Sequence, residues 1–324
     1  MISTTEFVKC KTHGIPLQSF DVPIVFIIFN RPEVTRRVFA EISKQRPKFL
    51  FIVSDGARSY RDGEIERVLE ARSITELIDW PCEVQRNYAQ VNMGCKNRVA
   101  SGIEWAFKHV DKAIILEDDC LPSESFFIFC RDMLEKYKSE MRVFSISGTY
   151  LGNEMETAGH YFSNYSLMWG WATWRNRWEH YRILPSDYIS VLIHIWWRKP
   201  ITLFYWLQVL KSINSGKLDT WDIQWIITVW RQKALTCRPN HNLVQNLGFG
   251  VDATHTVNAL CELGNLHITT DIKGLDRPLT PLVANDFLDA FDERRWAMIN
   301  IRSVLLMMFP FVAKMIYYKL KIKI

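Results

Sequence analysis

Three consecutive carboxylates, Glu117, Asp118 and Asp119, follow directly on the apolar run KAIIL of residues 112–116. Like charges held this close repel one another, and burying them without a counter-ion is costly, so a triplet in this setting calls for a cation. Carboxylate oxygens favour hard divalent ions such as Mn²⁺ or Mg²⁺, commonly with phosphate oxygens completing the shell. A metal beside a diphosphate neutralises a nucleotide leaving group. The plainer reading is a solvated loop whose acids precede the helix opening at Ser123-Glu124. Two further acids, Asp219 and Asp222, stand in the segment DTWDIQW. Trp221 and Trp225 beside Asp222 would form an apolar pocket that raises its basicity, as a general base requires. Either acid would also suit the positive end of a helix. Asp222 is the expected base, with Asp219 and Asp252 as alternatives.

Other residues with chemistry cluster less tightly. Asn30 and Arg31 follow the apolar run of residues 22–29, and Asp55 follows the run of residues 49–53. Lys96 and Arg98, after Gly94, are expected along a nucleotide edge or on a solvated helix face. In WGWATW (residues 169–174), tryptophan faces suit the C–H face of a pyranose, although most tryptophans at such spacing are core. Gly170 lacks a Cβ and would let a ligand approach the backbone.

The elements that must position these residues alternate through the first half. Strands are expected at residues 22–29, 49–53, 82–85, 112–116 and 143–147, with helices from Pro32 and over 62–78, 96–108 and 124–137. The continuous apolar run of residues 22–29 fits a strand buried on both faces. Strands alternating with helices imply a parallel sheet with right-handed crossovers, and ligands of such sheets bind beyond the carboxyl ends of the strands. Asn30-Arg31, Asp55 and the acidic triplet all fall at that edge. After Gly148 the alternation stops. Residues 161–178 are aromatic and glycine-punctuated, helices are expected over 186–197, 202–212 and 221–233, and residues 244–256 read as loop. No internal repeat or linker divides the chain.

Composition sets the bounds. The 324 residues are 48% hydrophobic and 23% charged, an ordinary globular balance with room for a large core. Ten of the 13 tryptophans lie between Trp169 and Trp230, marking a heavy local core or a local function. The net charge of +5 is modest, and its signs are mixed without a basic stripe, which excludes nucleic acid as the expected partner. Seven cysteines in no paired spacing suggest reduced thiols in a cytoplasmic protein. The first twenty residues lack the apolar run of a secretory signal. From Arg294 onward there are seven Lys/Arg and no Asp/Glu, beside the apolar LLMMFPFV and MIYY. Such a tail suits an interfacial helix at the inner face of the cytoplasmic membrane, or a C-terminal helix packed on the core.

Five motifs in order resemble those of nucleotide-sugar glycosyltransferases with the GT-A fold, in particular the N-acetylglucosaminyltransferase I group and related bacterial polysaccharide enzymes. They are FNRP (29–32), SDG (54–56), the strand ending in EDD with Leu121-Pro122 and Phe126-Phe127, WGWATW, and TWDIQW. The resemblance spans about Val22 to Thr256. It implies a Rossmann-like, mostly parallel sheet flanked by helices, with residues 22–148 as nucleotide-binding half, 149–260 as acceptor half, and 1–21 and 261–324 as N-terminal extension and helical C-terminal appendage. It further implies Asp119 as metal ligand and Asp118 at the ribose or the metal's water shell. Glu117 would meet the donor sugar, Arg31 the phosphates, and Asp55 the base. Gly170 and Trp171 would lie beside donor sugar and acceptor, Asp222 would be the base, and His255 would reach the metal or diphosphate. The implied reaction is inverting transfer from a UDP-sugar, UDP-N-acetylglucosamine first, to a glycan or lipid-linked acceptor. A sugar-1-phosphate nucleotidyltransferase is the alternative enzyme, but FNRP lacks the glycines of its phosphate loop. A non-catalytic sugar-binding or membrane-scaffold protein would not need acids after a buried strand.

Overall fold

The computed structural model describes residues 20–152, 158–183, 187–249, 261–270, 273–297 and 299. The first half runs β1 (Ile24–Ile28), α1 (Pro32–Gln45), β2 (Phe49–Ser54), α2 (Glu64–Ile74), β3 (Glu83–Tyr88), α3 (Cys95–Ala106), β4 (Lys112–Glu117), β5 (Cys120–Pro122), α4 (Glu124–Lys136) and β6 (Val143–Ser147). The second half adds β7 (His160–Ser163), β8 (Trp171–Trp174), α5 (Arg175–Trp178), α6 (Tyr188–Trp196), α7 (Pro200–Asn214), α8 (Asp222–Arg231), β9 (Leu235–Pro239), β10 (Val244–Asn246), α9 (Cys261–Gly264) and α10 (Asp286–Arg295).

Eight strands form one sheet in the order β3-β2-β1-β4-β8-β6-β9-β7. β3, β2, β1 and β4 pair parallel, as do β6 and β9, whereas β8 and the edge strand β7 run against their neighbours. The sheet is mostly parallel and flanked by helices, the Rossmann-like architecture that the GT-A resemblance implies. Every residue of β1 is buried. Ile24, Phe26 and Ile28 pack with Phe39, Trp80, Phe126 and Phe127 on one face, while Val25 and Ile27 pack with Ile103, Trp171 and Trp225 on the other. Two-sided burial is why the run shows no polar alternation. Pro32 sits in the first turn of α1, where its missing N–H costs nothing. The Ser123 hydroxyl caps α4 by accepting from the Phe126 N–H at 3.3 Å.

The second half departs from expectation. Residues 171–174, within the aromatic stretch, are strand β8, wedged between β4 and β6. Residues 244–246, read as loop, are strand β10, antiparallel to β5 with Asn246 opposite Cys120. Three- and four-residue strands are too short to show a period. Beyond α9, the chain pairs onto the free edge of β7, with bridges His160–Pro278 and Phe162–Ala284. Buried polar contacts fix α10 there. Arg238 pairs with Asp292, and Asp289 accepts from Ser163 Oγ at 2.5 Å and the Asn164 N–H at 3.1 Å. No helix among the described residues is long and apolar enough to cross a membrane.

Candidate active site

Pairing of β1 with β4 sets Ile27 opposite Glu117, so the turn after β1 runs beside the acidic triplet. The Phe29 N–H donates to Asp118 Oδ2 at 3.2 Å. The Arg31 guanidinium donates to Asp119 Oδ2 at 3.0 Å and to Asp118 Oδ1, bridging the two carboxylates. Burial opposes the charge on Arg31, but Asp118 and Asp119 outweigh it and hold its pKa above the ordinary value. Burial raises Asp118 against the pull of Arg31. Glu117 lies well above the usual carboxylate range, through burial first and then through Asp119, Asp118 and Asp222.

Asp222 arrives from the other half of the chain, in the first turn of α8. Its Oδ1 accepts from Thr220 Oγ1 and, at 2.8 Å, from the Ile223 N–H. Burial raises its pKa, which strengthens it as a base. Asp219 lies close by, because a Cβ built on Gly94 would come 2.9 Å from its Oδ2. Gly94, at φ +78°, makes that approach possible and precedes α3. Cys95 is exposed as a residue, but desolvation of its sulfur first, and then Glu117, Asp222, Asp219 and Asp119, push its thiol up. The two acidic segments therefore meet at the start of α3.

A third element closes on the triplet. The Leu247 N–H donates to the Asp119 carbonyl at 2.7 Å, and a side chain on Gly248 would collide with the Asp119 carboxylate. Cys95 and Asn246 were not singled out from the sequence, where the glycines of GFG (248–250) read as hinge points of a loop that orders over a bound donor.

Other expected site residues have structural work. Gly170, at φ +68°, faces Val244 and Phe126 rather than open space: an added Cβ would lie 2.7 Å from Val244 Cγ2. Trp171 is fully buried, its ring 5.5 Å from that of Trp221 and 5.6 Å from that of Trp225, so it supports the Asp222 segment from below. Arg98 is buried and braces β2 to β3, donating to the Ser54 carbonyl at 3.2 Å and to Asn87 Oδ1 at 3.0 Å. Asp55 accepts from the N–H groups of Gly56, Met93 and Gly94 and from Asn92 Nδ2, at 2.8–3.2 Å. Four donors fill a carboxylate, and here they tie down the loop before α3. Asn30 donates to Glu64 Oε1 at 2.7 Å; Arg58, hydrogen-bonded to the same carboxylate, is the main cause of its pKa falling to about 2. Lys96 is half-buried, with no ion-pair partner among the described residues. His255 and Asp252 lie outside the described residues. A cavity of about 590 Å³ opens beside the loop that Asp55 anchors, lined by Gly56, Arg58, Tyr60, Leu69, Arg72 and Asn92.

Oxygen donors of this kind fit a hard divalent cation. Among the described residues no group of three His, Cys, Asp or Glu is arranged to hold a metal, and Asp118 and Asp119 are turned onto Arg31. Arg31 supplies the positive charge in this arrangement.

No family model matches the chain, and no curated protein matches it. Solved structures do. The mannosyltransferase PcManGT from Pyrobaculum calidifontis, in complex with GDP-Man and Mn²⁺, is 12% identical, with a TM-score of 0.30 over 48% of this chain and 45% of that one. The 4-diphosphocytidyl-2C-methyl-D-erythritol synthase from Anaerococcus prevotii is 10% identical, with a TM-score of 0.29 over 48% of this chain and 72% of that one. A UDP-glucose pyrophosphorylase complexed with UDP-glucose is 11% identical, with a TM-score of 0.23 over 45% and 59%. The match thus spans less than half of the mannosyltransferase, 45% of its chain.

Proposed function

We propose that the protein is a metal-dependent glycosyltransferase that moves a sugar, with inversion, from a nucleotide diphosphate donor to an acceptor hydroxyl. One observation carries this reading: the carboxylates after β4 and the acids before and within the first turn of α8 converge at the sheet edge where α/β folds bind ligands. Transfer needs two kinds of acid, and both are at hand. Asp119, with Asp118, would hold Mn²⁺ or Mg²⁺, which when bound supplies Lewis-acid stabilisation of the departing diphosphate. Arg31 would turn from the acids to the phosphate oxygens, where its planar fork donates two hydrogen bonds. Asp222 would take the acceptor proton onto a carboxylate whose basicity burial has raised. Glu117 would face the donor sugar. The loop anchored by Asp55, with the adjoining cavity, would take the nucleoside, UDP being the first choice from the SDG resemblance. A glycan or lipid-linked acceptor of a bacterial polysaccharide fits the same resemblance.

Calorimetry tests it. UDP should bind with Mn²⁺ and fail to bind without it, and Asp119→Asn should abolish the difference. Metal-independent UDP binding, or release of pyrophosphate from UTP and a sugar 1-phosphate, would overturn the reading.

A further inference from the structure

Helix α6 presents Ile189 and Ile193, with Trp197 capping its C-terminus, each about half exposed or more and at four-residue steps, and Ile201 follows in the first turn of α7. Steps of four keep side chains on one helix face. The opposite face is committed, with Leu192 and Trp196 buried against Tyr165, Trp206 and Trp230. The outward residues are therefore held out by a packed helix, and a run of large apolar side chains in water marks a contact surface.

Charge identifies what would cover it. Residues 188–218 contain Arg198, Lys199, Lys211 and Lys217 and no Asp or Glu. Lys199 pairs with Glu293 at 3.1 Å. Arg198, Lys211 and Lys217 form no ion pair among the described residues, and the Arg198 guanidinium lies 4.7 Å over the Trp197 ring. The face thus offers an aromatic, a cation and branched apolar side chains together, the combination that seats at the boundary of headgroups and acyl chains. A second copy would bring like charge against like. Ala297 and Ile299 are buried in the cluster of Trp196 and Trp206, so the chain leaves the described structure from beside α6 and α7. The following residues, 300–324, carry Arg302, Lys314, Lys319, Lys321 and Lys323 and no acid.

We infer that the exposed face of α6 and the start of α7 docks on an anionic phospholipid bilayer. Contact is interfacial, without a spanning helix among the described residues. From this face α7 runs on to Asn214, and the chain continues through Leu218 to Asp219 and Asp222. The docking itself does not rest on the transfer reading.

Vesicle flotation of the full chain tests it. The protein should float with vesicles of phosphatidylcholine and phosphatidylglycerol and much less with phosphatidylcholine alone. Ile193→Ser with Trp197→Ser should lower the partition coefficient about tenfold or more, at unchanged thermal stability. Arg198→Glu with Lys211→Glu should weaken binding at low salt, with the gap to the parent closing as salt rises. Mn²⁺-dependent UDP binding should be unaffected in both variants, which separates this outcome from a failure of the transferase reading. Unchanged flotation of the Ser variant would assign membrane contact to the tail alone and overturn the inference. So would a dimer in sedimentation that the Ser variant dissolves while vesicles leave the parent unbound.

Discussion

Arg31 holds Asp118 and Asp119 by bridging them, and removing it should therefore act in two opposite directions. Arg31→Met should lower the melting temperature in the absence of metal, since two acids lose their partner, and Mn²⁺ should restore it. The same variant should bind Mn²⁺ more tightly and UDP more weakly, readable in paired calorimetric titrations. Equal weakening of both would mean that Arg31 does not compete with the metal. Asp222→Asn should keep donor binding and lose on the order of 10²-fold or more in transfer, as for a general base. A loss in Asp219→Asn with normal Asp222→Asn would move the base three residues earlier, to the segment before α8. The carboxylates were legible in the sequence because adjacency of like charges after an apolar run is a local signal. The surroundings of Gly170 and Trp171 were not legible, because what fills the space beside a glycine, or faces an indole, is decided by residues far along the chain. Asp55 is similar: its donors come from Asn92, Met93 and Gly94, on the loop before α3.

Among the elements, β1, β2 and β4 of the parallel half were legible because each is a continuous apolar run, whereas β3 (EVQRNY), with Val84 its one buried residue, shows no such run. β8, β9 and β10 were not legible. β8 is four residues, WATW, inside a stretch already rich in tryptophan. β9 carries Arg238 and Pro239 within five residues, and its charge is accommodated only by the buried pairing of Arg238 with Asp292. Gly170, just before β8, gives a test of this packing. Gly170→Ala adds a methyl 2.7 Å from Val244 Cγ2 at a left-handed backbone angle. It should cost about 1–3 kcal/mol in denaturant unfolding. UDP binding should be retained by the fraction that stays folded. A stable variant that has lost transfer would return Gly170 to the ligand.

Across the whole molecule, two buried groups give stability opposite slopes with pH. His160 is enclosed, its Nδ1 2.7 Å from the Leu275 carbonyl and its Nε2 2.6 Å from the Tyr137 hydroxyl, and burial lowers its pKa to about 4. The folded state holds that proton less tightly than the unfolded chain. The contribution is therefore complete above about pH 6.5 and lost as pH falls through about 4, at most roughly 3 kcal/mol. Burial raises Asp289 to about 6, so its contribution is present below about pH 4 and lost as pH rises through 6. The stability gap between the parent and His160→Gln should narrow as pH falls from 6.5 to 4; a constant gap would refute the assignment to His160. The strand order has a consequence for the growing chain. β8 separates β4 from β6, and among the described residues β6 is paired only by β8 and β9. When the first 148 residues have left the ribosome, β4 has one bare edge and VFSIS of β6 has two, awaiting partners at 171–174 and 235–239. Bare apolar edges recruit other chains. A fragment of residues 20–148 should therefore aggregate, although it contains the acidic triplet, Arg31 and four parallel strands, and the cell must shelter that half until the tryptophan strand arrives.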